Sequence, residues 1–247
     1  MGDPLSVKLE ICVDDLDGLH KAIAGGADRI ELCSALSVGG LTPTAGLMAA
    51  AGKCNVPVYA MIRPRAGDFV FCEQDVAGMF ADIDNARSAG LAGVVLGANR
   101  DDGTLDADVL GVLVGHAQGL GLTLHRAIDL VSDVGPAIET AIGLGFERIL
   151  TSGGAKTAFA GLDAIEAMVA LAGDRISIMP GAGVTAENAA QILERLAVRE
   201  LHASGSTLRT VTDGKLVELG FLSQTSKMTD ATAVAALKAV VSAHTTY

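Results

Sequence analysis

Tryptophan is absent from this 247-residue chain, and aromatic residues make up only 3% of it. Half the residues are nevertheless apolar, so the core must be built from Ala, Val, Leu and Ile. Positive charge is also scarce: 18 Lys and Arg stand against 29 Asp and Glu, a formal net charge of −11. That balance argues against nucleic acid or an anionic membrane as a partner. No uninterrupted apolar run approaches the roughly eighteen residues of a membrane span. The opening MGDPLSVK lacks a charged segment followed by an apolar one, so a secretory signal is not expected. Cysteine is sparse: Cys12, Cys33, Cys54 and Cys72 all fall in the first third, and none forms a CxxC. A disulfide framework or structural zinc site is therefore not expected, and the chain reads as a reduced, cytoplasmic protein. No GxGxxG follows the first strand and no GxSxG occurs, which tells against a dinucleotide fold and a serine hydrolase.

What the chain does have is alternation. Short strand-like runs occur at 9–12, 29–33, 58–63, 93–97, 122–126, 148–152, 176–181 and 200–204. Between and after them lie Ala/Leu-rich helical stretches at 14–25, 43–53, 75–89, 106–119, 132–144, 160–172, 185–196 and 230–243. Thr42 before Pro43, and Thr185 three residues before Asn188, mark helix starts. Eight evenly spaced βα units without a composition break predict one α/β domain over 1–247, a (β/α)₈ TIM barrel with a closed parallel sheet. A doubly wound sheet is the alternative. The segment 205–229 is irregular and is expected to form a flap or extra hairpin over the barrel mouth.

In such a barrel the chemistry lies at the C-terminal ends of the strands, where this sequence keeps its polar residues. KLEIC and RIELC place Glu10 with Cys12, and Glu31 with Cys33, on shared strand faces. Later strand ends add Arg63 and Arg65, then His125, Arg126 and Asp129, and finally His202 and Ser204. Glu10, Glu31, His125, Asp129 and His202 are candidates for acid–base catalysis. Arg63, Arg65 and Arg126 are candidates to hold an anion. Gly-rich turns after strands six to eight add Ser152, Gly153, Gly154, Gly181, Gly183 and Ser204, through which a backbone could approach a phosphate. The bland alternatives are a structural ion network, of Glu10–Arg63 or Glu31–Arg126 type, and tight turns.

The motifs LEIC, ADRIELC, GGLTPT, IRPRAGDF, TLHRAID, RILTSGG, PGAGV and ELHAS occur in this order over residues 8–205. Together they closely resemble the CutC family of copper homeostasis proteins. The resemblance implies a cytoplasmic barrel, a homo-oligomer, and a role in copper homeostasis. Two readings then stand side by side. In one, Cu(I) binds at Cys12 and Cys33, thiolates being suitable soft ligands; without it they are packing thiols. In the other, the pocket is an enzyme site for a small anionic or phosphorylated sugar-like molecule. A third arrangement, a divalent metal on Glu10, Glu31, His125 and His202, ranks below metal-free acid–base chemistry because the adjacent arginines disfavour a cation.

Overall fold

Alternate residues of each strand face opposite ways, and here the two faces differ in kind. The computed structural model describes residues 5–246. Its eight parallel strands are β1 Lys8–Val13, β2 Arg29–Leu32, β3 Val58–Met61, β4 Gly93–Leu96, β5 Gly121–Leu124, β6 Arg148–Thr151, β7 Ser177–Pro180 and β8 Glu200–Ala203. The helices are α1 Leu16–Ala24, α2 Ala45–Ala51, α3 Glu73–Ser88, α4 Ala107–His116, α5 Val134–Gly143, α6 Leu162–Ala172, α7 Ala186–Arg195, the short α8 Gly214–Glu218 and α9 Ala231–Ala243. Every strand and helix expected from the sequence is present. None of the described helices is long and apolar enough to cross a membrane.

The sheet runs β7-β6-β5-β4-β3-β2-β1-β8, all parallel, and curls until β7 and β8 lie side by side. This is a (β/α)₈ barrel whose last junction has no backbone ladder. Arg29 spans that seam from inside, its Nη2 meeting Met179 Sδ of β7 at 3.2 Å and also pairing with Glu200 of β8. Helix starts are capped by Asp15, Thr44, Asp106, Asp133 and Asp230, each offering an oxygen to an otherwise unpaired N–H. Thr42 is not a cap. It has moved into the strand connection, where its Oγ1 accepts from the Arg63 N–H at 2.9 Å.

Leu9, Ile11, Val13, Ile30, Leu32, Val58, Ala60 and their counterparts on later strands face the helices and form one continuous apolar layer. Inside the barrel the apolar cluster shrinks to Cys33, Tyr59, Met61 and Val95. The rest of the interior carries buried Glu10, Arg29, Glu31, Thr123, Arg148, Glu200 and His202. Barrel interiors are ordinarily filled by branched apolar side chains; this one is filled largely by charge.

Residues 206–229 form the expected extra hairpin: Ser206–Thr210 pairs antiparallel with Thr225–Thr229, with α8 between them. The hairpin packs on α1 and α9 and leaves Leu208, Leu219 and Phe221 exposed.

The interior also explains two glycines. A Cβ at Gly93 would stand 2.2 Å from Tyr59 Cε1, and one at Gly121 2.2 Å from Tyr59 Oη. The missing side chains make room for the Tyr59 ring, whose hydroxyl donates to Glu147 Oε2 at 3.0 Å. Gly93→Ala and Gly121→Ala are each expected to lower stability by about 1–3 kcal/mol through overpacking, seen as a lower urea midpoint at unchanged slope. An unchanged midpoint would mean that the ring does not need this space.

Candidate functional site

Strand register decides which polar groups meet. β1 and β2 align Glu10 with Arg29 and Cys12 with Glu31, and β8 and β1 align His202 with Glu10. Despite their similar sequences, KLEIC and RIELC are offset by one inward-facing position. Cys12 therefore lies level with Glu31 rather than with Cys33, because the stagger that closes a barrel shifts each strand against the next.

The result is a chain of alternating charge along the barrel axis. Arg148 pairs with Glu147 at 2.8 Å and with Glu200 at 3.0 Å. Arg29 bridges Glu200 and Glu10. Glu10 accepts from His202 Nδ1 at 2.8 Å, and His202 Nε2 lies 3.8 Å from Glu31 Oε2. The Cys33 thiol then donates to Glu31 Oε2 at 3.6 Å. Tyr59 lies against both guanidinium groups, with its ring centre 5.5 Å from Arg29 Cζ and 4.9 Å from Arg148 Cζ.

Burial alone would push the Glu10 carboxyl up, but Arg29 and then His202 outweigh it and bring the pKa down to about 2. Burial pushes Glu31 above the usual carboxylate range against the pull of His202, and Glu10 adds to the rise. For His202, burial opposes the charge but Glu31 leads the groups that raise it well above the ordinary imidazole value. Burial, with Glu31 next, pushes the Cys33 thiol well up.

The ion pairs weighed from sequence are not the ones that form. Glu10 pairs with Arg29 and His202, not with Arg63. Arg63 instead donates to the backbone oxygens of Val38, Gly40 and Gly67 at 3.0, 3.0 and 2.7 Å. Arg126 reaches Asp129 at 2.7 Å, not Glu31. Arg29, Arg148 and Glu200 also join the network, although they stand at the starts of β2, β6 and β8 rather than at the strand ends where barrel chemistry is expected. The signal was available, since each stands two or four residues before a recognised inward-facing polar residue on the same strand face.

The late-loop anion cradle is already filled. The Asp129 carboxylate accepts from Arg126 Nε at 2.7 Å, from the Ser152 N–H at 3.1 Å and hydroxyl at 2.8 Å, and from the Gly154 N–H at 3.1 Å. The Gly153 N–H donates to Thr151 Oγ1 at 2.9 Å. Asp129, Arg126, Ser152, Gly153 and Gly154 thus form a closed internal clasp. Gly181 and Gly183 are packing positions: a Cβ would meet Leu150 Cδ1 at 2.5 Å in the first and Thr157 Cγ2 at 2.8 Å in the second. Ser204 bonds Ser206 at 2.8 Å across the hairpin start. Arg65 points outward and pairs with Asp68 and Asp75.

One group among the described residues has metal-ligand geometry: Cys12 Sγ, a Glu31 oxygen and a His202 ring nitrogen, all within 4.8 Å of one another and all buried. The four-ligand set with Glu10 and His125 is not assembled. Glu10 is engaged by Arg29, and the His125 ring accepts from the Ala127 N–H at 3.1 Å.

The family model of the CutC family matches residues 7–207. The chain belongs to the CutC family. A family protein CutC from Sinorhizobium medicae is 59% identical over 237 residues, covering 96% of this chain and 97% of the relative. A crystal structure provisionally named copper homeostasis protein CutC, from Streptococcus agalactiae, superposes with a TM-score of 0.77 at 33% identity. It covers 80% of this chain and 98% of that one. Phosphoribosylanthranilate isomerase from Pyrococcus furiosus, at 12% identity and TM-score 0.60 over 96% of this chain and all of that one, shares the fold alone.

The network makes a pH-dependent prediction. Glu10 is held near 2 in the folded protein against 4.5 for an ordinary glutamate, so its contribution is complete above about pH 4.5 and is lost as pH falls towards 2. Glu10→Gln leaves Arg29 and His202 without their shared anion and is expected to cost about 3–5 kcal/mol near neutral pH. Urea unfolding should show the gap between wild type and variant narrowing across that acid window. A gap independent of pH would count against the ion pair.

Proposed function

We propose that this CutC-family protein binds Cu(I) in the barrel interior, with Cys12 and His202 as the principal ligands and Glu31 beside them. The observation that carries this reading is the buried Cys12–Glu31–His202 group, whose donor atoms lie within 4.8 Å of one another. A thiolate with an imidazole suits a soft or borderline ion. Glu10 holds His202 Nδ1 at 2.8 Å, which turns Nε2 towards Cys12 and Glu31, as carboxylates commonly orient metal-binding histidines. The copper homeostasis name of the Streptococcus agalactiae relative supports the same reading. Copper is the cargo here, and the protein's part is to present the donors and shed their protons.

The thiol pair inferred from sequence is thereby reassigned. Cys33 stands one inward position farther along its strand and donates to Glu31, so it is the outer thiol of the site. Because Cys12 and His202 Nε2 must both lose protons to bind, affinity should rise with pH.

Anaerobic competition titration against a Cu(I) chelator tests this. Cys12→Ser and His202→Gln should each weaken binding by about tenfold or more, the loss of about 1.4 kcal/mol. Cys33→Ser should have a smaller effect. Equal losses at Cys12 and Cys33 would restore the thiol pair, and no loss at either would remove copper from the barrel altogether.

A further inference from the structure

Four buried side-chain atoms among the described residues have no hydrogen-bond partner: Glu31 Oε1, Arg63 Nε, Asn99 Oδ1 and His125 Nε2. The last three belong to one connected cluster at the C-terminal end of the barrel. The Phe69 ring centre lies 4.8 Å from Arg63 Cζ and 4.7 Å from the His125 ring centre. The Phe69 backbone oxygen accepts from the Asn99 N–H at 2.9 Å. His125 and Asn99 both grip Ala127: Nδ1 of the former accepts its N–H, and Nδ2 of the latter donates to its carbonyl, each at 3.1 Å. With Nδ1 an acceptor, the ring proton of neutral His125 sits on Nε2. Burial, and then Arg63, push this imidazole down to about 3, so it is neutral at physiological pH.

Arg63 is only 5% exposed. The other two buried guanidinium groups, Arg29 and Arg148, are paired with carboxylates. The hydrogen-bond partners of Arg63 are three neutral carbonyls, and the charges of Arg65 and Asp68 act on it in opposite senses from farther away. A buried cation without a counter-ion is costly unless one arrives with a ligand.

We propose that Arg63, His125 and Asn99 form a binding site for a small carboxylate bearing an adjacent hydroxyl. The carboxylate accepts from Arg63 Nε and His125 Nε2, and the hydroxyl donates to Asn99 Oδ1. One cation and two free N–H donors match one carboxylate. A phosphate dianion would bring a second charge and more acceptors than these donors satisfy. The loops at 36–40 and 64–70 supply the carbonyls around Arg63. The site is distinct from the proposed copper ligands, since none of its three residues belongs to the Cys12–Glu31–His202 group.

Calorimetric titration of the full chain with glycolate, acetate and inorganic phosphate tests the proposal. Wild type should bind glycolate, with acetate about fivefold weaker for the lost hydrogen bond and phosphate weaker than glycolate. Arg63→Lys, which removes the Nε donor, and Asn99→Asp, which sets a like charge against the ligand, should each weaken glycolate by about tenfold or more. Cys12→Ser should leave it unchanged, so that the outcome is independent of copper. Should Arg63→Lys fail to fold, as judged by circular dichroism, Asn99→Asp decides. Absence of glycolate binding by wild type, or undiminished binding by the folded variants, would overturn the site. Phosphate binding tighter than glycolate would overturn its assignment to a carboxylate.

Discussion

Arg29 is the residue on which the barrel interior depends. Its guanidinium lies between Glu10 and Glu200 and spans the one junction, between β7 and β8, where the sheet has no ladder. Arg29, Arg148 and His202 face Glu10, Glu31 and Glu200, so the charges of this interior balance among the strands themselves. Such a network contributes little net stability over an apolar core, but breaking any one link leaves a buried charge exposed to its full desolvation cost. Its main consequence is fixity. By accepting from Nδ1, Glu10 settles which nitrogen of His202 is left for Cys12 and Glu31. The geometry of the candidate metal group is thus set by an ion pair one position deeper in the barrel.

The fold was legible because every strand and helix carries its own local signal, and eight evenly spaced units leave few architectures. The helix starting near 43 shows the limit. Thr42–Pro43 suggested its cap, but Thr44 caps Leu47 and Thr42 serves Arg63 instead. For the candidate site, the strands that carry Glu10, Cys12, Glu31 and His202 could be read, but the pairings of these residues could not. Side-chain partners across a parallel sheet depend on register, and register in a barrel is set by closure of the whole ring. KLEIC and RIELC look equivalent in sequence, yet the structure places Cys12 beside Glu31 and Glu10 beside Arg29. Arg29, Glu200 and Arg148 were open to the rule that alternate strand residues share a face, applied backwards from Glu31, His202 and Ser152.

Completeness of hydrogen bonding separates the polar residues that hold the fold from those with bonding capacity left over. Asp129 shows one extreme. Arg126, Ser152 and Gly154, donors that looked suited to phosphate, converge on its carboxylate, so the chain supplies its own anion where many barrels bind a foreign one. Arg63 shows the other, a buried cation met by three carbonyls and the Phe69 ring. Both lie in loops after strand ends, and nothing in the motifs IRPRAGDF and TLHRAID distinguishes a filled site from an open one. The difference comes from Asp129 reaching the end of β6, whereas Asp68, the acid that acts on Arg63, is paired with Arg65.

Glu31 joins the two regions. One carboxylate oxygen accepts from the Cys33 thiol and faces His202, while the other is buried without a partner. Cys33 in turn lies against Gly40, whose carbonyl accepts from Arg63. Placing Cu(I) on the Cys12 thiolate adds a cation and removes a proton, leaving the net charge of that link unchanged. Only loss of the His202 proton would alter the balance, and Glu31, already pushed towards its neutral form by burial, is the group positioned to take up that change. Soft-metal binding in this interior therefore does not require the rest of the charge chain to reorganise, and Arg29 can remain paired with Glu10 and Glu200 throughout.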